Sequence, residues 1–537
     1  MTTSEVPVLI VGGGPVGLAL AAELGWRGVK CFLVEQTDGV IRTPKMNEVN
    51  IRTMEYCRRW GIADQVLNCP FPRDYAMDIA FVTSLSGFEL ARQKRPAKCE
   101  QQPGPHSPVN QQICSQLWFD PILHEFALSF PTVSIAHRCR MENFRDTADG
   151  LEAEIHHLED GRRETIRTRF LVACDGATSA IREARGIGLD GTEVLGRPVH
   201  LFFRAPNLLE RCGMAEATFI LAIDDGGLWA NIRIIDPANA LWRLMVLDTP
   251  DGLDADNIDR DAYLRRAVGR DIEVEWVGHS VWIRRGVVAQ RYRDGPVFLA
   301  GDAAHQLSPT GALGMNTGIG DAVDLAWKIA AVIDGWGGPS LLNSYDAERR
   351  AIGTRNVAMA TEFLHSHAGF ENFSAIVDDT PEGDALRTRI GPELIENVGR
   401  MFRTLGLQIG YRYHRSPICI DDGTSDVADD PDKYIPSARP GARAPHVELG
   451  EGHSTLDLFG RGFVLLNFGS KAEGTAFKTA ASSRGVPLEM VHLEAAEAAS
   501  IYQRRMVLVR PDGHVAWRGD ADPGDAGAVL DRARGAN

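Results

Sequence analysis

Apolar and polar positions along this chain follow two periods, and each change of period marks an element. The run Val8-Leu9-Ile10-Val11 predicts a short buried strand, and the Ala/Leu-rich stretch Leu18 to Leu24 predicts a helix. A second apolar strand spans Lys30 to Val34. Asn50 to Trp60, with Ile51, Met54 and Tyr56 on one side, reads as a helix, as does Gln116 to Phe130. Between them, Asp78 to Leu90 predicts a strand pair turned at Ser86-Gly87, followed by a Pro/Gln/Gly-rich loop from Pro96 to Pro108. Leu151–His156 and Thr165–Cys174 alternate as strands on either side of the turn Asp160-Gly161. From Val199 to Ile283 the pattern is strand-like, and such a block predicts a separate antiparallel sheet. Val297-Phe298-Leu299-Ala300 is another buried strand, with a Gly-rich loop after it and a helix predicted over Gly320 to Ile333. Residues 340–410 read as helical, and Asp421 to Pro445, acidic and then Pro/Gly/Ser-rich, reads as a linker. In the last hundred residues strands (Phe463–Phe468, Met490–Leu493, Met506–Val509, Val515–Trp517) alternate with helices (Thr475–Ser483, Ala526–Arg534), which predicts a small α/β domain.

The junction of the first strand and helix carries chemistry. Gly12, Gly14 and Gly17 stand as Gly-x-Gly-x-x-Gly, Pro15 opens the helix, and Glu35 ends the second strand. In this pattern the first glycine permits a tight turn, the second lets backbone approach a pyrophosphate, and the third lets helix and sheet pack closely. A helix N-terminus favours the phosphates, and an acid about 20 positions on suits ribose hydroxyls. Two further turns follow buried strands: Asp175-Gly176-Ala177-Thr178, and Gly301-Asp302-Ala303-Ala304-His305 with the loop Gly311-Ala312-Leu313-Gly314-Met315-Asn316. An Asp at a strand end accepts ribose hydroxyls or orients amides, and a glycine-rich loop offers N–H donors to phosphate or a flavin ring.

With 537 residues the chain exceeds one core. Its formal charge of −15 argues against nucleic acid or an anionic membrane as partner. No apolar stretch is long enough to span a bilayer, and the N-terminus lacks a secretory pattern. Nine cysteines without Cys-x-x-Cys spacing fit reduced thiols in a cytoplasmic protein and predict no metal site.

The three nucleotide motifs in this order resemble the class A FAD-dependent aromatic hydroxylases built like p-hydroxybenzoate hydroxylase. Asn50-Ile51-Arg52-Thr53-Met54-Glu55, Val82-Thr83-Ser84-Leu85-Ser86-Gly87 and Gln116-Leu117-Trp118-Phe119-Asp120-Pro121 are similar to the phenol hydroxylase and 2-hydroxybiphenyl 3-monooxygenase branch. So are Pro436 to His446 and Val509 to Arg518, which resemble that branch's C-terminal thioredoxin-like domain, here without Cys-x-x-Cys. The resemblance implies an α/β protein with a Rossmann-like FAD-binding domain (1–76, 107–190 and 287–365) and an inserted antiparallel-sheet substrate domain (77–106 and 191–286). A helical or linker segment (366–430) and a thioredoxin-like domain (431–537) complete it.

It also implies cofactor contacts: FAD at Gly12, Gly14, Pro15, Gly17, Glu35, Gln116 and Asp302 and along Ala312, Leu313, Gly314, Met315 and Asn316, and both FAD and the nicotinamide cofactor at Asp175 and Gly176. Ala312 and Ser308 depart from the family's usual glycine and proline. The implied reaction uses NADH or NADPH and O2 to hydroxylate a phenolic or other aromatic substrate through a flavin hydroperoxide, with a homodimer as the assembly. Where phenol-hydroxylating relatives carry an Asp or His base, this chain has Asn47, which orients a phenol but does not take its proton. That leaves two alternatives open: the same oxygen chemistry on a polyketide, antibiotic or Baeyer–Villiger substrate, and an oxygen-independent flavin dehydrogenase. Asn47 and Arg233 are the catalytic candidates, with His200, Arg243 and Tyr292 beside them. An Arg among alternating apolar residues more commonly faces solvent, and Glu48 reads as a solvent-facing loop acid. His305 reads equally as a flavin-loop contact or a structural hydrogen bond.

Overall fold

The computed structural model describes residues 2–249, 257–366, 373–425, 428–470 and 473–536. Of six sheets among them, the three largest organise the fold. The first has the path Arg293–Asp294, Val297–Leu299, Arg163–Ala173, Thr2–Val11, Cys31–Val34, Val133–Ala136, and the antiparallel strands Cys139–Thr147 and Gly150–His157 extend it. Five of these strands are parallel, with Val11 registered on both Val34 and Ala173. Parallel strands are buried on both faces, which is why Val8, Leu9 and Ile10 form an unbroken apolar run at 0% exposure. The helix Pro15–Trp26 covers one face and packs against the helices Gln116–Leu128 and Gly314–Ile333.

The helix Gly314–Ile333 begins six residues before the predicted Gly320. Gly318 serves contact rather than a loop. A Cβ on Gly318 would lie 2.5 Å from Val16 Cγ2 and 3.0 Å from Gly301 Cα. The helix therefore runs through a glycine-rich stretch so that it can lie against the first helix and the Gly301 turn.

The second sheet has the order Glu275–Val281, Val199–Arg204, Leu241–Val246, Gly227–Asp236, Phe219–Asp224, Ile79–Val82, Glu89–Gln93. It is antiparallel except where Ile79–Val82 runs parallel to Phe219–Asp224, a departure from the expected all-antiparallel sheet. The hairpin 79–93 arrives from a distant part of the chain, so a tight antiparallel link at that seam is not required. Trp229 and Trp242 lie in the main core, on the face away from His200, Phe202 and Arg243. The helices Asn343–Ser366 and Pro381–Asn397 fall within the stretch read as helical, of which 367–372 lie outside the described residues. Phe363, Ile390 and Leu394 from these helices pack on Ile79, Phe81, Leu221 and Ile223 of the second sheet.

The third sheet, Leu488–His492, Phe463–Asn467, Met506–Val509, Val515–Gly519, carries the helices Thr475–Arg484, Ala496–Tyr502 and Ala526–Ala533. The short middle helix was not anticipated; it buries Ala498 and Tyr502, and the Tyr502 hydroxyl donates 2.7 Å to Pro445 O. The stretch Asp421 to Pro445, expected as a linker, is not free chain; of it, 426–427 lie outside the described residues. Gly441 N donates to Val515 O, Ala438 and Ala444 are buried, and Arg443 is 1% exposed. Its proline and glycine content suits an irregular strap pressed between two domains. No described helix is long and apolar enough to cross a membrane.

Candidate active site

Each glycine of the fingerprint meets different surroundings. Gly12 has φ +108°, and a Cβ there would stand 2.2 Å from Cys174 O. A Cβ on Gly17 would stand 2.0 Å from Gly12 O. Gly14 is the opposite case: its φ −74°, ψ 179° suits any residue, and nothing lies within 4 Å of the position its Cβ would take. So two of the glycines serve the fold and the third leaves an open groove over the helix end. Pro15, at the first helical position, has no N–H to strand, while Val16 and Gly17 keep first-turn N–H groups without intrahelical partners. Glu35 ties this turn to the second strand, accepting from Gly13 N through Oε2 and from Thr37 N through Oε1, both at 2.7 Å.

One strand over, Asp175 Oδ2 accepts from Ile181 N at 3.3 Å, while its buried Oδ1 has no partner. Burial raises its pKa, and the Ser179 hydroxyl and the Ile181 amide oppose the rise. Gly176, at φ +83°, is open on its Cβ side.

The Gly301-Asp302 turn is held from behind by side chains that sequence reasoning missed. Asp321 Oδ2 accepts from Gly301 N at 3.2 Å and lies 2.7 Å from His305 Nε2, while Oδ1 accepts from Arg349 Nε at 2.8 Å. Arg349 also donates to Thr317 O at 2.9 Å. Burial would raise the pKa of Asp321, but His305 and Arg349 outweigh it and hold the carboxylate below its usual range. A signal did exist: an acid inside an otherwise apolar helix must find a buried cation. His305 thus takes the structural hydrogen bond. Asp302 opens to the cleft; the protein packed around it raises its pKa, against the pull of His305 and Lys45.

In the loop before the long helix, Ala312 adopts φ +53°, a left-handed conformation that favours glycine. Asn316 stabilises it: Nδ2 donates to Ala312 O (2.9 Å) and Glu48 O (3.1 Å), and Oδ1 accepts from Asn50 N (3.0 Å) and Thr53 Oγ1 (2.8 Å). The Asn316 side chain is therefore spent on the protein, and only its backbone remains for a ligand. Leu313 likewise turns its side chain into the core, and Met315 packs partly buried against it. Gln116 accepts from Lys45 N and donates to Asp120 Oδ2, both at 2.9 Å. Gly314 is open within 4 Å of its Cβ position, like Gly14. The two open glycines flank the Gly301 turn, which both helices meet at Val16. Two helix starts left open by glycine are places where backbone amides can meet a diphosphate or a flat ring.

Opposite lies the polar face of the second sheet. Arg233 and Arg243 are registered neighbours, 8% and 7% exposed. The solvent reading for Arg233 is overturned, and so is that for Glu48: Arg233 Nη2 donates to Glu48 Oε1 at 3.0 Å beneath the loop. The sheet face turns inward because residues 45–50 cover it. Burial would raise the pKa of Glu48, but Arg233, Arg95 and Arg243 together hold it down. Arg243 has only Asn231 Oδ1 at 3.4 Å, with its Nε unpartnered; burial and the neighbouring Arg233 lower its pKa to about 9. His200 accepts from Trp282 Nε1 at 3.3 Å, and burial, with Arg243, Arg284 and Lys45 nearby, pushes its pKa far down. Burial thus favours the neutral ring, with Nε2 as the acceptor toward Trp282. Asn47 is 5% exposed, and its Oδ1 has no partner. A narrow recess between the two loops is lined by Glu48, Asn50, Ala312, Met401, Phe402 and Gln408. Tyr292 is not part of this site; it is buried between Tyr345 and His305, with ring centroids 6.1 Å from each.

Comparison with known proteins adds the following. Residues 5–360 match the family model of the FAD binding domain, and residues 437–536 match that of the aromatic-ring hydroxylase C-terminal domain. The FAD-dependent monooxygenase apdD of Emericella nidulans is 34% identical over 96% of this chain and 87% of its own length. A putative polyketide hydroxylase of Streptomyces halstedii is 34% identical over 96% of this chain and 94% of its own. Among solved structures, chromopyrrolic acid-soaked RebC with bound 7-carboxy-K252c is 40% identical, covers 100% of both chains and superposes with a TM-score of 0.93.

Proposed function

The chain belongs to the family of FAD-dependent aromatic-ring hydroxylases, and we propose that its substrate is a fused-ring or phenolic aromatic bearing an acidic group, with NADH or NADPH as reductant. The observation that carries the substrate reading is the Arg233–Arg243 pair, two buried guanidiniums facing one carboxylate, Glu48. A cation kept from water without a counter-charge is costly, and an anionic ligand relieves that cost. A carboxylate suits it best, since guanidinium binds carboxylate through paired hydrogen bonds. The carboxylated ligand in the RebC structure supports the same choice.

Bound FAD supplies the electrons and the oxygen-activating ring. In this proposal the amides of Val16 and Gly17 would hold its diphosphate, Glu35 and Asp302 would accept its hydroxyls, and the backbone of 312–316 would hold its ring. Asn47 Oδ1, without a protein partner, accepts a hydrogen bond from the substrate hydroxyl. An amide does not take the proton, so at Asn47 the substrate hydroxyl stays protonated and oriented, while Arg233 and Arg243 hold the acidic group of the substrate. Met401 and Phe402 keep water from the recess. A homodimer in the cytoplasm completes the proposal.

The test is an oxygen-uptake screen of the yellow holoenzyme with NADH and with NADPH against phenols, hydroxybenzoates and larger carboxylated aromatics. Uptake should be stimulated by carboxylated fused rings and fall at least tenfold in kcat/KM for their decarboxylated analogues, or about 1.4 kcal/mol. Equal response to both forms would overturn the acid-recognition reading.

A further inference from the structure

Beyond the cleft, three reactive groups meet beside the short strand Gln112–Ile113: the thiols of Cys69 and Cys114 and the ammonium of Lys98. Cys69 Sγ lies 3.6 Å from Lys98 Nζ and 3.3 Å from Ile113 O, and Lys98 Nζ donates to the same carbonyl at 3.4 Å. The two thiols are in hydrogen-bond contact. Lys98 is 3% exposed, Cys69 6% and Cys114 0%.

An ammonium withdrawn from water needs a negative partner. Among the described residues Lys98 has no carboxylate within ion-pair distance, and the group placed to supply the charge is the Cys69 thiol. The hydrogen bond from Cys114, with Lys98 adding to it against burial, draws the Cys69 thiol down to about 6. Cys114 is pushed up by the same contact and by burial. Cys69, whose S–H points at Ile113 O, is the thiol more easily deprotonated of the two, and Cys114 is the one held protonated. Cys57, behind Cys114, is held protonated by burial.

We propose that Cys69 and Cys114 form a peroxide-reactive pair that closes to a disulfide and moves the Asn47 loop. The oxidant is hydrogen peroxide, a by-product of flavin oxidation by O2. The Cys69 thiolate attacks one peroxide oxygen, the O–O bond breaks, and hydroxide leaves, taking up a proton to become water. The resulting sulfenic acid is attacked by Cys114 sulfur; the S–O bond breaks, the S–S bond forms, and a second water leaves with the Cys114 proton. In sum, two thiols are oxidised and one peroxide is reduced to two waters. The mechanical link is direct: Cys114 N donates to Asn47 O at 2.9 Å, and Ile113 and Gln112 are registered on Glu48 and Val49. Drawing Cys114 toward Cys69 pulls the backbone that presents Asn47 and Glu48.

Holoenzyme treated with a few equivalents of hydrogen peroxide, alkylated with N-ethylmaleimide and digested without reductant should yield a peptide pair joining Cys69 to Cys114, reversible by dithiothreitol. Exposed Cys99 is alkylated throughout and serves as the internal standard. Amide exchange over residues 45–49 should change at least about fivefold between bridged and reduced protein. Cys114→Ser should leave a dimedone-trappable sulfenic acid on Cys69. The titratable groups facing Cys69 are Lys98 and Cys114, so Lys98→Met should raise the pH midpoint of the reaction by more than about one unit. Alkylation of both thiols after peroxide, a bridge to Cys57 instead, or unchanged exchange over 45–49 would overturn the proposal.

Discussion

Replacing Gly14 by Val separates ligand binding from folding in a way the neighbouring glycines cannot. Gly14 holds φ −74°, ψ 179°, an extended conformation that a β-branched residue adopts without strain, and its Cβ would meet nothing within 4 Å. The apoprotein should therefore fold, with its thermal midpoint within about 2 °C of wild type. The isopropyl group would instead fill the groove above the Val16 and Gly17 amides. Losing two charge-assisted hydrogen bonds to a diphosphate, at about 1.5–3 kcal/mol each, weakens FAD binding by about 3–6 kcal/mol, or roughly 10²- to 10⁴-fold. Gly12→Val is the control: with φ +108°, a conformation closed to a β-branched side chain, and a Cβ 2.2 Å from Cys174 O, it should fail to fold. The assay is flavin content after desalting, flavin titration of apoprotein by fluorescence, and circular-dichroism melting of both variants. Stoichiometric FAD on purified Gly14→Val, or melting of its apoprotein as low as that of Gly12→Val, would refute the reasoning.

Other outcomes follow from the same geometry. Asp321→Asn strips Arg349 of its buried counter-charge and should lower the unfolding free energy by about 3–5 kcal/mol, read by denaturant titration; an unchanged midpoint would exclude the anchoring role. Arg243→Met removes a cation without a carboxylate, so stability should hold or rise while KM for an acidic substrate increases about 10- to 100-fold; an unchanged KM would count against anion recognition. Asp120, raised to about 7 by burial against the Gln116 hydrogen bond, takes up a proton on folding between its unfolded value of 3.8 and that point. Stability should thus fall as pH rises through this window, by up to about 4 kcal/mol, and level off above it. Asp120→Asn should abolish that slope in pH-dependent denaturation, and an identical slope would assign it elsewhere.

The glycine fingerprint and Glu35 were legible in the sequence because every part of that turn lies within one strand–helix–strand unit, where spacing maps directly onto contact. The reach of the substrate face was not. Alternation along Gly227–Asp236 shows that Arg233 and Asn231 share a face but not what covers it; the cover is Glu48, from a distant loop. Composition misled in two places. Residues 314–319 read as a loop although Gly318 marks close packing on Val16 and Gly301, and the Pro/Gly-rich strap before Pro445 read as a linker although Arg443 in it is bound to buried Glu55. Asp321 was discoverable, since an acid amid Ile319, Ala322 and Val323 demands a partner, but which cation answers it depends on a helix packed alongside.

The account stands on an aromatic ring receiving an oxygen atom from O2 in a flavin-bearing cleft. The direct measurement is mass spectrometry of the product formed by holoenzyme, NAD(P)H and a carboxylated aromatic under ¹⁸O-labelled dioxygen. One labelled oxygen on the ring, with none acquired from labelled water, is the predicted result. Product formed equally well without oxygen, or labelled only from water, would contradict it and favour a flavin dehydrogenase.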